Sequence, residues 1–183
     1  IGERAFANCT NINYLSMSDN LKIIGKEAFK ACESLTSVTL GKGITEVAEG
    51  VFESCYSIGS VTMTKGVISL GKSAFRGCYS LKKVTFSDTL TTIGEDCFRG
   101  CMALENVEIP KSVTEIGEGA FANCKSIVSI AIPDGVTAIK LTTFEGCAKL
   151  SSVKLPDDLT VIEDVAFFGC VSLTSIDFNA KLT

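Results

Sequence analysis

Phenylalanine recurs at a constant interval of 23 residues along the whole chain, and a cysteine follows each of these phenylalanines three residues later. The eight phenylalanines are Phe6, Phe29, Phe52, Phe75, Phe98, Phe121, Phe144 and Phe167. A fixed period of this length is typical of a repeat protein in which every copy stacks on its two neighbours. The pattern therefore predicts one elongated solenoid of about eight turns rather than two compact domains. Every repeat phenylalanine is expected to lie in one continuous spine along it.

Both ends of the chain lie in the middle of a repeat. The sequence begins at Ile1 and ends at Thr183, and neither end carries the polar capping repeat that a solenoid requires. We therefore expect residues 1–183 to form a single repeat domain that is a fragment of a longer array. Any targeting segment would lie outside such a fragment, so the lack of one in these residues says nothing about where the protein is located.

Composition argues against several classes of partner. The chain carries a net charge of −4 and has no basic block, which disfavours nucleic acid and anionic membrane surfaces. No apolar run approaches the roughly 20 residues that span a bilayer, so we expect no membrane insertion in this segment. With no Trp and three Tyr, a platform that stacks bases or sugars is not expected either. The composition does not define an oligomeric state.

Eight of the nine cysteines occupy the same position in the repeat. Side chains in such a row point in parallel, whereas a disulfide requires Cβ atoms that converge to about 3.8 Å. We expect a row of buried thiols that act as small apolar side chains. The ninth cysteine, Cys97, stands where other copies have alanine, and nothing in the sequence activates its thiol. Zinc requires converging ligands and the chain has no His, so we expect neither a metal site nor a cofactor.

Within one repeat the apolar residues change their spacing. Ile116, Phe121 and Cys124 follow the spacing of one helical face, which predicts a short helical turn. Ile130 and Ile132 are two residues apart, which predicts a short strand with one buried face. Between these segments, Gly or Asn occupies the second position after Phe in six of eight copies, which indicates a left-handed residue at the end of the helical turn. Stacking then gives an α/β solenoid with a parallel sheet on one side.

The repeat unit resembles the BspA-like leucine-rich repeat over the whole chain. The second copy shows the motif at Ile24, Gly25, Ala28, Phe29 and Cys32. The resemblance implies a right-handed leucine-rich-repeat superhelix, with the sheet on its concave side and helical turns on its convex side. It also implies a cell-surface or secreted protein that binds other proteins, with extracellular-matrix proteins such as fibronectin among the expected ligands. It carries over no catalytic residues.

Three copies depart from the motif at its glycine. Ala48, Lys140 and Glu163 stand at that position. We expect these exchanges to vary the turns without breaking the register of the repeats.

The strand side chains that point away from the core are expected to line the concave face. Most of them are Ser or Thr, which by themselves also fit a plain solvated sheet. Tyr14 is the only large aromatic residue among them, and Lys82, Lys83, Glu105 and Glu108 form a mixed-charge cluster near the middle. These five residues are the candidates for binding a protein ligand on this face.

A second candidate lies on the opposite side of the repeat. Leu141, Val165 and Phe168 occupy positions that hold charged or small residues in most other copies. Large apolar residues at expected surface positions can mark a contact site. Local repacking or a flanking domain would account for them equally well.

The sequence offers no group that performs catalysis. It has no His, no Gly-rich phosphate loop and no nucleophile elbow, and its carboxylates are scattered over solvent-side positions. We therefore expect no enzyme. The favoured function is a protein-binding or adhesion module at a cell surface, and the alternative is an intracellular scaffold. Unpaired thiols favour a reducing compartment, whereas the family resemblance favours the surface.

Overall fold

The structure, a computed structural model, describes residues 1–178 and 181–182. The strands in these residues are β1 (Ser37–Thr39), β2 (Glu46–Val47), β3 (Ser60–Thr62), β4 (Ser69–Leu70), β5 (Lys83–Thr85), β6 (Thr92–Ile93), β7 (Asn106–Val107), β8 (Glu115–Ile116), β9 (Ser129–Ala131), β10 (Ala138–Ile139), β11 (Ser152–Lys154) and β12 (Val161–Ile162). The odd-numbered strands form a six-stranded sheet in chain order. The even-numbered strands form a second row, which is divided into a four-stranded and a two-stranded sheet.

All the pairings are parallel and advance by one repeat. Val38 pairs with Val61 and Val61 with Val84, so equivalent residues lie side by side. This confirms a parallel-strand solenoid with a repeat of about 23 residues. The six-stranded sheet spans about five turns, so the described strands do not support the predicted eight turns. The first and last copies of this chain pack against one neighbouring copy only, so their strand segments are less stable than those in the middle.

The predicted helical turns are wrong, because the described residues contain no helix. The residues two before and two after each repeat phenylalanine both have a left-handed backbone. Around Phe98 these are Asp96 (φ 53°) and Gly100 (φ 76°). An α-helix needs negative φ at every residue, so two positive values four positions apart prevent it. The frequent Gly and Asn two residues after Phe indicated a left-handed backbone there. The position two residues before Phe gave no such signal, because it holds side chains as different as Glu27 and Val165.

Hydrogen bonds between repeats replace those of a helix. The N–H of Phe98 donates to the Ala120 carbonyl at 2.8 Å, and the N–H of Gly100 donates to the Ala122 carbonyl at 2.8 Å. The N–H of Cys101 closes the turn on itself, donating to the Phe98 carbonyl at 3.0 Å. A helix satisfies these groups within its own segment. Here the turns depend on the neighbouring repeat, which is why an isolated repeat would not hold this shape.

The repeat phenylalanines form one continuous stack through the core. Successive rings from Phe6 to Phe167 have centroids 5.2 to 5.7 Å apart, and their planes are nearly parallel. This confirms the predicted phenylalanine spine. Five consecutive members, from Phe52 to Phe144, are fully buried, whereas Phe6 at the end of the stack is 41% exposed.

The cysteine row lies beside this stack and has a hydrogen-bonding role that the sequence did not reveal. The Cys101 thiol donates to the Phe75 carbonyl at 3.3 Å, and the Cys124 thiol donates to the Phe98 carbonyl at 3.1 Å. The same contact recurs in the copies between Cys32 and Cys170. A small buried side chain with a weak donor therefore ties each repeat to the one before it. All nine cysteines are free, as predicted.

The second row of strands is interrupted at one of the copies that lack the motif glycine. A Cβ added to Gly94 would lie 2.7 Å from the Gly71 carbonyl carbon of the preceding repeat, closer than atoms normally pack. At this position the N–H of Gly117 donates to the Ile93 carbonyl at 2.8 Å, but no equivalent bond forms at Lys140 in the described chain. The second row is interrupted between β8 and β10, beside Lys140. The repeat register continues across this break. At Glu163, which also replaces the glycine, the N–H donates to the Ile139 carbonyl at 2.8 Å and β12 pairs with β10.

Candidate functional site

The exposed face of the six-stranded sheet, here called the strand face, carries mostly small hydroxyl side chains. In β1 and β3 the central valine is buried, and the flanking Ser and Thr are exposed. The charged residues gather at β5 and the segment around β7, where Lys82, Lys83, Glu105 and Glu108 are all exposed. The structure thus brings these four predicted site residues together on two adjacent repeats.

The sheet opens between these two repeats. The strands β5 and β7 pair through a single register contact, Lys83 with Asn106, whereas β1 pairs with β3 over three residues. One repeat earlier, the N–H of Met63 donates to the Thr85 carbonyl at 2.9 Å. The corresponding bond from Phe86 to Glu108 is missing in the described part of the chain. The strands therefore separate toward their carboxyl ends, and two backbone polar groups there lack a backbone partner.

A bulky side chain accounts for the opening. Phe86 stands in the row that holds Leu40 and Met63 in earlier copies, and its ring meets Phe98 edge-on at 5.9 Å. Phe86 is half-buried, whereas Leu40 and Met63 are buried. A larger side chain in a close-packed core displaces its surroundings. We attribute the separation of β5 and β7 to the space that this ring needs.

The opening is a groove of about 730 Å³. Its lining includes Lys82, Lys83, Glu105 and Glu108, together with Asp88, Phe86 and Pro110. The lysines lie at the amino ends of the strands, and Glu108 and Asp88 lie toward the carboxyl ends. The groove therefore combines a half-buried aromatic side chain with exposed charges of both signs. We call it the β5–β7 groove.

These charged side chains differ from those on the turn side of the solenoid. There, Lys30 pairs with Glu27 at 3.3 Å and with Glu53 at 2.8 Å, and Asp96 pairs with Arg76 at 3.2 Å and Arg99 at 3.3 Å. Among the described residues, no ion pair involves Lys82, Lys83, Asp88, Glu105 or Glu108. The turn-side charges therefore compensate one another across repeats, whereas the groove charges remain available to a ligand.

The turn-side charges give way to apolar residues in the last two copies. Phe168 is 67% exposed, Val165 is 49% exposed and Leu141 is 38% exposed. Repacking therefore does not bury these three predicted site residues. Val165 also has a φ of 51°, which a β-branched side chain adopts only with strain. Nothing in the structure shows what covers this patch.

Tyr14 is 72% exposed and lies at the amino-terminal end of the strand face, three repeats from Lys83. It is not part of the β5–β7 groove. A different pair of aromatic residues was missed: Tyr56 and Tyr79 stack at 5.0 Å on the outside of neighbouring repeats. Their identical position in the repeat, directly after Cys55 and Cys78, was the signal that could have revealed them.

The buried thiols of the cysteine row are expected to react slowly. Burial raises the pKa of the Cys55 and Cys147 thiols to about 12, and it also raises the pKa of Cys97. The thiolate is the form that attacks electrophiles and binds metals. Within the described residues, no group of three or more acidic, His or Cys side chains is arranged to hold a metal ion.

A search for membrane-crossing helices among the described residues found none of sufficient length and apolar character.

The fold and the strand face define a parallel β-solenoid repeat protein. The family model described as BspA type Leucine rich repeat region matches residues 1–128 and 114–183 with six copies. The chain belongs to this family. Leucine-rich repeat proteins are generally protein-interaction modules, and the family is generally non-catalytic.

Two solved structures illustrate the similarity. The T. pallidum leucine-rich repeat protein TpLRR is 33% identical, with a TM-score of 0.79 over 82% of this chain and 71% of that chain. The pneumococcal vaccine antigen PcpA is 16% identical, with a TM-score of 0.57 over 88% of this chain and 47% of that chain, and is similar in fold alone. No curated protein sequence matches the chain.

Proposed function

We propose that this chain is a non-catalytic protein-binding module of a cell-surface or secreted protein, and that its ligand is a host extracellular-matrix protein. The observation that carries the binding role is the β5–β7 groove, an opening in the sheet that is surrounded by charges without an ion-pair partner among the described residues. Membership of the BspA-type family supports the surface location and the adhesive role. Complementary charges across an interface give specificity and fast association.

The thiols favour a second candidate, an intracellular scaffold. Nine free cysteines are unusual for an oxidising compartment. Eight of them are buried, however, and burial lowers their reactivity because the thiolate form is disfavoured. Buried thiols of this kind are compatible with an extracellular location. Protease treatment of intact source cells separates the two candidates, since only a surface protein is cleaved while a cytoplasmic marker survives.

Binding to immobilised matrix proteins, with fibronectin first, tests the adhesive role. We expect saturable binding that weakens on Lys83→Glu and on Glu108→Lys. The matched control is Lys154→Glu, a charge reversal on the same strand face at β11, which should leave binding unchanged. Absence of binding to every matrix protein tested would remove this ligand class. Binding that is insensitive to both groove variants would move the site away from the groove.

A further inference from the structure

We infer that the β5–β7 groove takes one extended segment of a partner protein, which carries an acidic and a basic side chain two residues apart. This inference rests on the proposed protein-binding function and specifies the ligand of the same site. Its basis is the combination of unpaired strand backbone, separated charges of opposite sign and a partly exposed aromatic ring in one opening.

The backbone of the groove favours an extended ligand. The N–H of Phe86 and the carbonyl of Glu108 would bond to each other in a regular sheet, and in the described chain neither has a backbone partner. A segment in strand conformation offers a carbonyl and an N–H in alternation along its edge. It can accept from Phe86 and donate to Glu108 without disturbing the rest of the sheet. Main-chain bonding of this kind is a recurrent way in which sheets recognise peptides.

The charges define which side chains the segment carries. Lys83 lies beside Asn106 in the sheet, and Glu108 follows Asn106 by two residues. Two residues of strand span roughly 7 Å. Side chains two residues apart in an extended ligand point to the same side and have that same spacing. An acidic side chain thus meets Lys83 when a basic side chain meets Glu108, whereas Lys82 has Glu105 at the equivalent position of the next repeat.

The aromatic ring gives the segment an apolar contact. Phe86 is half-buried and Pro110 lies at the same end of the groove. An apolar side chain on the ligand would cover the exposed part of the Phe86 ring. The neighbouring copies hold Met63, which is buried, and Ile109, which is half-buried, in the Phe86 row, so neither offers an aromatic ring.

A random-peptide display library selected against the whole chain tests this inference. We expect enriched peptides with opposite charges two residues apart and few prolines. Each charge reversal, Lys83→Glu or Glu108→Lys, should weaken their binding by about tenfold, because an attraction becomes a repulsion. The double variant should prefer peptides in which the two charges are exchanged. Lys154→Glu is again the matched control, and it should change nothing.

A second variant separates the opening from the charges. Phe86→Leu installs the residue that Leu40 provides in the second copy, so we expect the sheet to close and peptide binding to fall while every groove charge remains. Hydrogen exchange adds a direct readout, since the Phe86 amide should become protected when a selected peptide binds. Peptides that bind all these variants equally would overturn the inference, and so would a selection that enriches no peptide.

The two proposals fail in distinguishable ways. If the display selection yields no peptide whose binding depends on the groove but the protein still binds fibronectin, the extended-segment ligand is refuted and the matrix-binding role stands. Groove-dependent peptide binding without any matrix binding would refute the host-matrix ligand and leave the groove as a peptide site.

Discussion

Replacing one phenylalanine of the core stack should have an effect that depends on its position along the solenoid. Phe98 is fully buried, with the rings of Phe75 and Phe121 each 5.5 Å away and Phe86 edge-on at 5.9 Å. Truncating a buried aromatic costs about 3–5 kcal/mol. The stacked neighbours place Phe98→Ala in the upper half of that range, since each aromatic contact adds about 0.5–1.5 kcal/mol beyond area burial.

The end of the stack is the matched comparison. Phe6 is 41% exposed and has one stacked neighbour, Phe29, at 5.2 Å. With less surface buried and one ring contact, Phe6→Ala should cost about 1–2 kcal/mol. The chemical change is the same in both variants, so the difference isolates the number of neighbouring repeats.

Urea unfolding followed by circular dichroism measures both effects. With a slope of about 2 kcal/mol per molar urea, the midpoint should fall by about 2 M for Phe98→Ala and by less than about 1 M for Phe6→Ala. Equal shifts for the two variants would refute the reasoning, because they would mean that stability does not depend on stacking between neighbours. Phe98→Leu should fall between them, since it keeps apolar volume and loses the ring contacts.

Three further predictions concern the groove, the thiols and the backbone. In the free protein the Phe86 amide should exchange with solvent faster than the Met63 amide, which is bonded at 2.9 Å; amide hydrogen exchange by NMR measures both. Burial raises the pKa of the Cys55 thiol to about 12, from 9.0 for an exposed thiol in the unfolded chain, so stability should be intact below pH 9 and decline as pH rises toward 12. Urea midpoints across this range test it, and at pH 8 a thiol reagent should modify Cys9 first, because Cys9 is the least buried cysteine. Val165→Asn should raise stability by about 1 kcal/mol in urea unfolding, because Asn tolerates the φ of 51°.

Each of these outcomes has a clear contrary result. Equal protection of the Phe86 and Met63 amides would mean that the strands do not separate in solution. A urea midpoint that stays constant from pH 9 to 12 would contradict thiols that remain protonated in the folded state. A destabilised Val165→Asn variant would show that Val165 contributes packing that outweighs its backbone strain.

The repeat period was sufficient to predict most of the core. Phe, Cys and the strand valines recur in register, and a residue that recurs in every copy can only stack on its own equivalents. The phenylalanine spine, the free thiols and the parallel strands followed from that argument and are confirmed. The helical turns were predicted wrongly from the spacing of Ile116, Phe121 and Cys124. An apolar spacing reports which side chains are buried, and a turn with left-handed residues at Gly119 and Asn123 can bury the same ones.

The candidate site was predictable only in part. Lys82, Lys83, Glu105 and Glu108 stood out because they interrupt a row of hydroxyl residues, and the structure places all four around one groove. The groove itself could not be predicted, because Phe86 looks like an ordinary apolar member of its row. The binding roles of these residues, and those of Tyr14, Leu141, Val165 and Phe168, remain predictions.

The sequence alone determined the solenoid, its period and the identity of its core, because a one-dimensional repeat leaves each buried position one set of neighbours. The tertiary structure decided how the turns are bonded, where the sheets break and which charges lack partners. Those features depend on contacts between residues 12 or more positions apart, such as Phe86 against Phe98, and on breaks between repeats such as the one beside Lys140. The spaces that such contacts open or close follow from three-dimensional packing, which a periodic pattern does not encode.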